Sequence, residues 1–274
     1  MGKRRLSLPQ ILFGIFLILG LILFLAAGKY AKNGIPEETA QDQPEVTYPI
    51  AYEMIDRTSD HYSYEDAHYS SLFGIDVSTF QDEIDWKKVR EDGVEFVIIR
   101  IGRRGATTGI LYEDDLFETN YAGAKENGLK VGVYFFSQAV SEKEAREEAD
   151  WVKDHLKGKQ IDFPIVYDCE EVVLDETPRM NELTAEEITA NALSFAKRLS
   201  GHGYETILYT NSYWAKEIYD MEKLSALPLW LAQYDVDVPV FDYPFFMWQY
   251  SNTGEIAGIE GFVDLNIMFL PKED

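Results

Sequence analysis

The chain has 274 residues, 46% of them hydrophobic and 14% aromatic, which excludes a disordered or fibrous protein for most of its length and allows one large domain with appendages. The formal charge is -23, and Lys3, Arg4, Arg5, Lys29 and Lys32 give residues 1–32 a charge of +5, leaving -28 on the rest. So acidic a body repels nucleic acid, which is excluded as a partner, and anionic lipid surfaces.

A single cysteine rules out an intramolecular disulfide. His61, His68, His155 and His202 stand at no metal-ligand spacing, so no metal site is expected. Residues 11–27, ILFGIFLILGLILFLAA, carry no charge, and the uncharged span around them, 6–28, reaches 23 residues. At about 1.5 Å per residue that crosses a hydrocarbon core of roughly 30 Å. Lys3, Arg4 and Arg5 before it place the short tip in the cytoplasm and the body outside. The expectation is a single-pass membrane protein with residues 1–32 as anchor, the alternative being secretion after signal cleavage near Leu25-Ala26-Ala27. Residues 33–71, with Pro36, Pro44, Pro49, many acids and tyrosines of no sustained period, read as a flexible extracytoplasmic linker.

From residue 72 onward short apolar runs alternate with polar helical stretches. Strands are predicted at 73–77, 96–101, 131–137, 164–170, 206–211, 229–234, 246–251 and 262–267, and helices at 86–91, 114–127, 142–156, 185–200 and 213–219. Capping boxes Ser141/Glu144 and Thr184/Glu187 open the third and fourth helices, and Gly128 and Gly201 stand where helices should stop. The alternation makes the domain, 72–274, α/β with a parallel sheet, either open or closed into a barrel that is irregular where its last three strands have short connections. No glycine-rich phosphate loop follows any strand, which removes the usual nucleotide-binding argument for the open sheet.

Four acids stand in otherwise apolar strands, where an unpaired charge costs several kcal/mol. They are Asp76 in GIDVS, Asp168 and Glu170 in YDCEE, and Asp264 in VDLN. Closure of a barrel would bring all four to one cavity, with one acid holding a proton near neutral pH while a neighbour stays ionised. Glycoside hydrolysis requires that pairing, although clustered carboxylates also suit Mg²⁺ or Ca²⁺. Rings at alternate positions, Tyr134 and Phe136, Tyr209, Trp230 and Tyr234, Trp248 and Tyr250, are expected on the same inner face, where flat rings match the CH faces of sugars. Two other classes stay open on this reading: a non-catalytic glycan-binding module, and a metal-dependent enzyme, which would lack the usual histidines.

The segments GIDVSTFQDEIDWKKV, FVIIRIGRRG, NYAGAKENGLKVGVYFFSQA, FPIVYDCE, WLAQY and MWQYSNTGEIAGIEGFVDLN resemble, in order and spacing, the glycoside hydrolase family 25 lysozymes, N-acetylmuramidases of the Chalaropsis type. The resemblance implies an irregular (β/α) TIM-like barrel of about eight strands with fewer helices. It implies a monomeric enzyme that cleaves the β-1,4 bond from N-acetylmuramic acid to N-acetylglucosamine in peptidoglycan glycan strands, with no metal or organic cofactor. It also implies Glu170 as proton donor and Asp168 as nucleophile or as orienter of the sugar's acetamido group, with Asp76 and Asp264 holding substrate and tuning the pair. Arg100, in the second segment, joins the seven rings as an expected substrate-binding residue. The chain departs from the family at Asp82, where glycine is common, at Ala257, where proline is common, and at Cys169, often an aromatic. Cys169 is expected to point toward the helices as a small buried hydrophobe.

Overall fold

The computed structural model describes residues 50–272, and the proposed membrane anchor lies outside them. Among the described residues no helix is long and apolar enough to cross a membrane. Eight strands close a barrel: β1 (Tyr69–Val77), β2 (Phe96–Arg104), β4 (Lys130–Phe136), β5 (Ile165–Asp168), β6 (Thr206–Asn211), β7 (Leu229–Ala232), β8 (Met247–Gly254) and β9 (Val263–Pro271). A ninth, β3 (Leu111–Glu113), hairpins back onto β2 outside the ring and has no counterpart among the predicted strands, being only three residues long. Strands β1 to β8 of the ring run parallel, and β9 runs antiparallel to both its neighbours, β8 and β1.

Four α-helices cover one side: α1 (Trp86–Glu91), α2 (Phe117–Glu126), α3 (Glu142–His155) and α4 (Ala185–Ser200). The predicted helix at 213–219 is a five-residue π turn, Trp214–Ile218. With a reversed closing strand and no helix after β7 or β8, the barrel is α/β but departs from the regular (β/α)₈ pattern. Thr184 forms its capping box with Glu187. Ser141 caps α3 alone, because the Glu144 carboxylate accepts from the Val140 amide and pairs with Arg179 instead.

Both faces of the strands are buried, which is why FVIIRI is apolar without alternation. Phe96 and Ile98 join Val166, Ile207, Met247 and Met268 inside the barrel. Val97 and Ile99 face outward into the layer under the helices. Gly74 is required by this packing, since a Cβ there would lie 2.3 Å from the Phe96 ring. Cys169 joins the outer layer, 3.8 Å from the Met180 sulfur. Two family departures have local consequences. Asp82 holds φ 51°, a conformation that favours glycine. The Ala257 amide donates to Asp92 at 2.9 Å, a bond that proline could not make.

The linker reading fails for residues 50–68, which pack as a strap on the barrel. Tyr62 stacks on Tyr250 at 3.9 Å, Tyr52 on Phe245 at 4.9 Å, and His61 on Phe73 at 4.1 Å, while Tyr64 meets Phe269 edge-on. Ile50, Tyr52, Ile55 and Tyr64 are buried. These rings dock one by one on a preformed surface, and a segment of that kind has no period to detect.

Candidate active site

The rim where the parallel strands end carries the acids. Asp76 is the second-last residue of β1, Asp168 is the last residue of β5, and Glu170 follows in an irregular stretch. Asp264 reaches the same rim by the opposite route: it stands at the start of β9, whose reversal sets it directly opposite Asp76 in register. All four line one cavity of about 250 Å³, with Tyr134, Tyr209, Trp230 and Tyr234 as ring walls.

Four expected substrate contacts lie elsewhere. Trp248 and Tyr250 point out of the barrel into the layer beneath the strap, because the inward positions of β8 are Met247 and Gln249. Phe136 stands beside Asp168 in register but does not line the cavity. Arg100 is buried beneath the rim, where its guanidinium pairs with Asp114 at 2.7 and 2.8 Å.

Three residues absent from the expected set complete the site. Gln249 and Asn252 line the cavity, and Asn266 is fully buried beneath it. The Tyr209 and Tyr234 hydroxyls donate to Gln249 Oε1 at 2.8 and 2.5 Å, and the Trp230 indole donates to Asn266 Oδ1 at 2.9 Å. With both carbonyl oxygens claimed, each amide turns its NH₂ to Asp76 Oδ2, at 2.7 Å from Gln249 and 2.8 Å from Asn266. A buried amide inside an apolar strand, as in MWQY and DLNIM, is the sequence signal for Gln249 and Asn266; the exposed Asn252 has none.

Burial in the cavity raises all four acids, and repulsion from neighbouring carboxylates adds to it for Asp168, Glu170 and Asp264. Asp76 is pushed up to about 6, held back by its two amide donors. Glu170 is pushed up to about 7 by burial and then by the charge of Asp76. Asp168 is raised well above the carboxylate range by burial and by Glu170 and Asp76, with Arg100 acting against them. Asp264 is raised likewise by burial and by Asp76 and Glu170. Near neutral pH the negative charge therefore settles on Asp76, while Glu170 is close to half protonated. Asp168 Oδ1 is buried and has no hydrogen-bond partner among the described residues.

The backbone of both acids is pinned from β4. The Ser137 amide donates to the Asp168 carbonyl at 2.7 Å, and the buried Gln138 side chain donates to the Glu170 carbonyl at 2.9 Å. Beneath them, the Ser137 hydroxyl donates to Glu148 at 2.6 Å, and Glu148 pairs with Arg104 at 2.8 Å. Gln138→Leu keeps the volume and deletes the bond that fixes Glu170. It is expected to lower kcat roughly 10- to 100-fold with little change in KM, the scale for a displaced catalytic group; steady-state kinetics on soluble glycan checks this.

Residues 75–259 match the family described as glycosyl hydrolases family 25. The chain is 32% identical over 193 residues to an autolytic lysozyme of Clostridium acetobutylicum, an alignment that covers 70% of this chain and 54% of that protein. It is thus similar to about half the length of that relative. It is 29% identical over 209 residues to lysozyme M1 of Streptomyces globisporus, covering 73% and 68% respectively. A solved bacterial lysozyme from Streptomyces coelicolor superposes with a TM-score of 0.61 at 28% identity, over 71% of this chain and 90% of that one. With the family matched across most of the barrel and the acids gathered at one mouth, the chain belongs to glycosyl hydrolases family 25.

Proposed function

We propose that this protein is a lysozyme that hydrolyses the β-1,4 bond between N-acetylmuramic acid and N-acetylglucosamine in peptidoglycan. The observation that carries the reading is the cavity itself, in which a carboxylic acid poised near pH 7 and an ionised neighbour share a ring-walled mouth. Glu170 gives its proton to the leaving oxygen. The negative charge on Asp76 offsets the positive charge that grows at the sugar carbon. Asp168, with an oxygen free of protein partners, acts on the sugar as nucleophile or by accepting the acetamido N–H. Trapping of a glycosyl-enzyme by a slow fluorinated substrate separates these routes. The uncharged run at 11–27 behind Lys3, Arg4 and Arg5 supports a tether to the outer side of the cytoplasmic membrane.

The full chain incubated with purified peptidoglycan is expected to release muropeptides whose new reducing ends are N-acetylmuramic acid, identified by mass spectrometry. Binding without new reducing ends would leave a glycan-binding module in its place. The pH dependence follows from Glu170. Its folded pKa is raised, so the proton needed for catalysis is held below about 7 and lost above it. The rate is expected to fall about tenfold per pH unit on the alkaline side of neutrality; a profile flat to pH 9 would remove Glu170 from the role of acid.

A further inference from the structure

Phe80 is 71% exposed, yet it is held firmly. It occupies the short turn Thr79–Gln81 directly after β1, closed at both ends: the Phe80 amide donates to the Ser78 hydroxyl and the Ser78 amide donates to the Gln81 side chain. The Thr79 amide donates to Asp114 at 3.0 Å. The ring itself lies over Arg100, 5.0 Å from the guanidinium carbon, and Arg100 is fixed by Asp114. The Gln81 amide reaches the carbonyl of Phe262 at 3.4 Å, and Phe262 is a second exposed ring, two residues before Asp264. The two rings therefore flank the paired strands that supply Asp76 and Asp264 to the cavity, Phe80 just after β1 and Phe262 just before β9, and neither is among the lining residues. Among the described residues, eight of the ten exposed large hydrophobics lie on connections that follow the parallel strands of the ring, Met54 and Tyr112, which sits in β3, being the exceptions.

A cavity of about 250 Å³ falls below the roughly 300–1,000 Å³ of pockets that enclose a drug-sized ligand. A polymeric glycan must then continue across the rim. We propose that Phe80 and Phe262 form an outer sugar-binding subsite, on which an N-acetylated hexosamine ring of the same chain rests its CH face, remote from the bond being cleaved. The inference rests on the peptidoglycan hydrolase reading. An anionic lipid surface is a poor occupant for a rim rich in carboxylates. Arg100 acts here as a positioning residue, setting the plane of the Phe80 ring without touching the reacting sugars.

The test compares kcat/KM of the full chain on soluble peptidoglycan glycans of four and of eight sugars. Wild type is expected to prefer the longer chain. The double variant Phe80→Ala/Phe262→Ala should lose about tenfold of that preference, the scale of two ring contacts, with an unchanged melting temperature because both side chains are exposed. Phe80→Tyr should restore the ring and the preference, whereas Phe80→Leu, apolar but not flat, should not. Equal preference in wild type and the double variant, or full rescue by leucine, overturns the subsite. Equal cleavage of both lengths by wild type overturns it too while leaving the hydrolase intact. Cleavage of neither overturns the hydrolase reading and the subsite together.

Discussion

Glu170→Gln is expected to lower the rate of glycan cleavage by roughly 10² to 10⁴, the range for loss of a positioned general acid, while leaving glycan binding in place. The same substitution should raise the melting temperature at alkaline pH. Because the folded pKa of Glu170 is raised, the folded protein binds more protons than the unfolded chain between its ordinary value of 4.5 and about 7, and stability falls as pH rises through that window. Glutamine carries no charge and does not suffer the fall. Variant and wild type should therefore melt close together at pH 4 and diverge by pH 8, with the variant higher. Calorimetry at the two pH values, beside a reducing-end assay, separates a lost proton from a damaged fold. A variant that keeps a tenth of the activity would assign the proton to another group.

Arg104→Met is expected to be the most destabilising single change outside the site. Arg104 lies buried at the end of β2, pairs with Glu148 at 2.8 Å, and donates to the carbonyls of Gly109 at 2.7 Å and Glu144 at 3.0 Å. Its removal strands a fully buried carboxylate and two carbonyls, a loss on the order of 3–5 kcal/mol, or roughly 10 °C in a domain of this size. Arg104→Met/Glu148→Leu removes both charges and should recover most of that loss. A double variant as unstable as the sum of its singles would show that the carbonyls, not the stranded charge, carry the effect. Glu148 also accepts from Ser137, whose amide holds Asp168, so activity measured well below melting reports whether the damage travels to the mouth of the barrel.

The sequence made the strands legible because each is a short apolar run between polar helices, and it made the acids legible because a charge in such a run is costly. It did not reveal direction. Asp264 could be placed at the rim from its motif, but only the structure shows that β9 runs backward and delivers its first residues there. Facing was ambiguous for a related reason. In β8, Met247, Trp248 and Tyr250 are all apolar and both faces are buried, so hydrophobicity could not tell inside from outside; the polar Gln249, which looks like an outward residue, is the inward one. Arg100 illustrates a third limit, since a cation near a cleft can serve a neighbouring ring and carboxylate rather than a ligand. The strap at 50–68 reads as linker in the sequence, its tyrosines being the one hint of packing, because rings that dock individually leave no periodic trace.

That strap bears on how the protein can be handled. A soluble version begun at residue 75, where the family match starts, would cut within β1, whose residues Tyr69 to Leu72 pair with Met268 to Pro271, and would bare Tyr250 and Phe269 to water. An oily flank and an unmatched strand edge on one side of the barrel invite copies to stick together. The shortest well-behaved fragment should begin before Ile50.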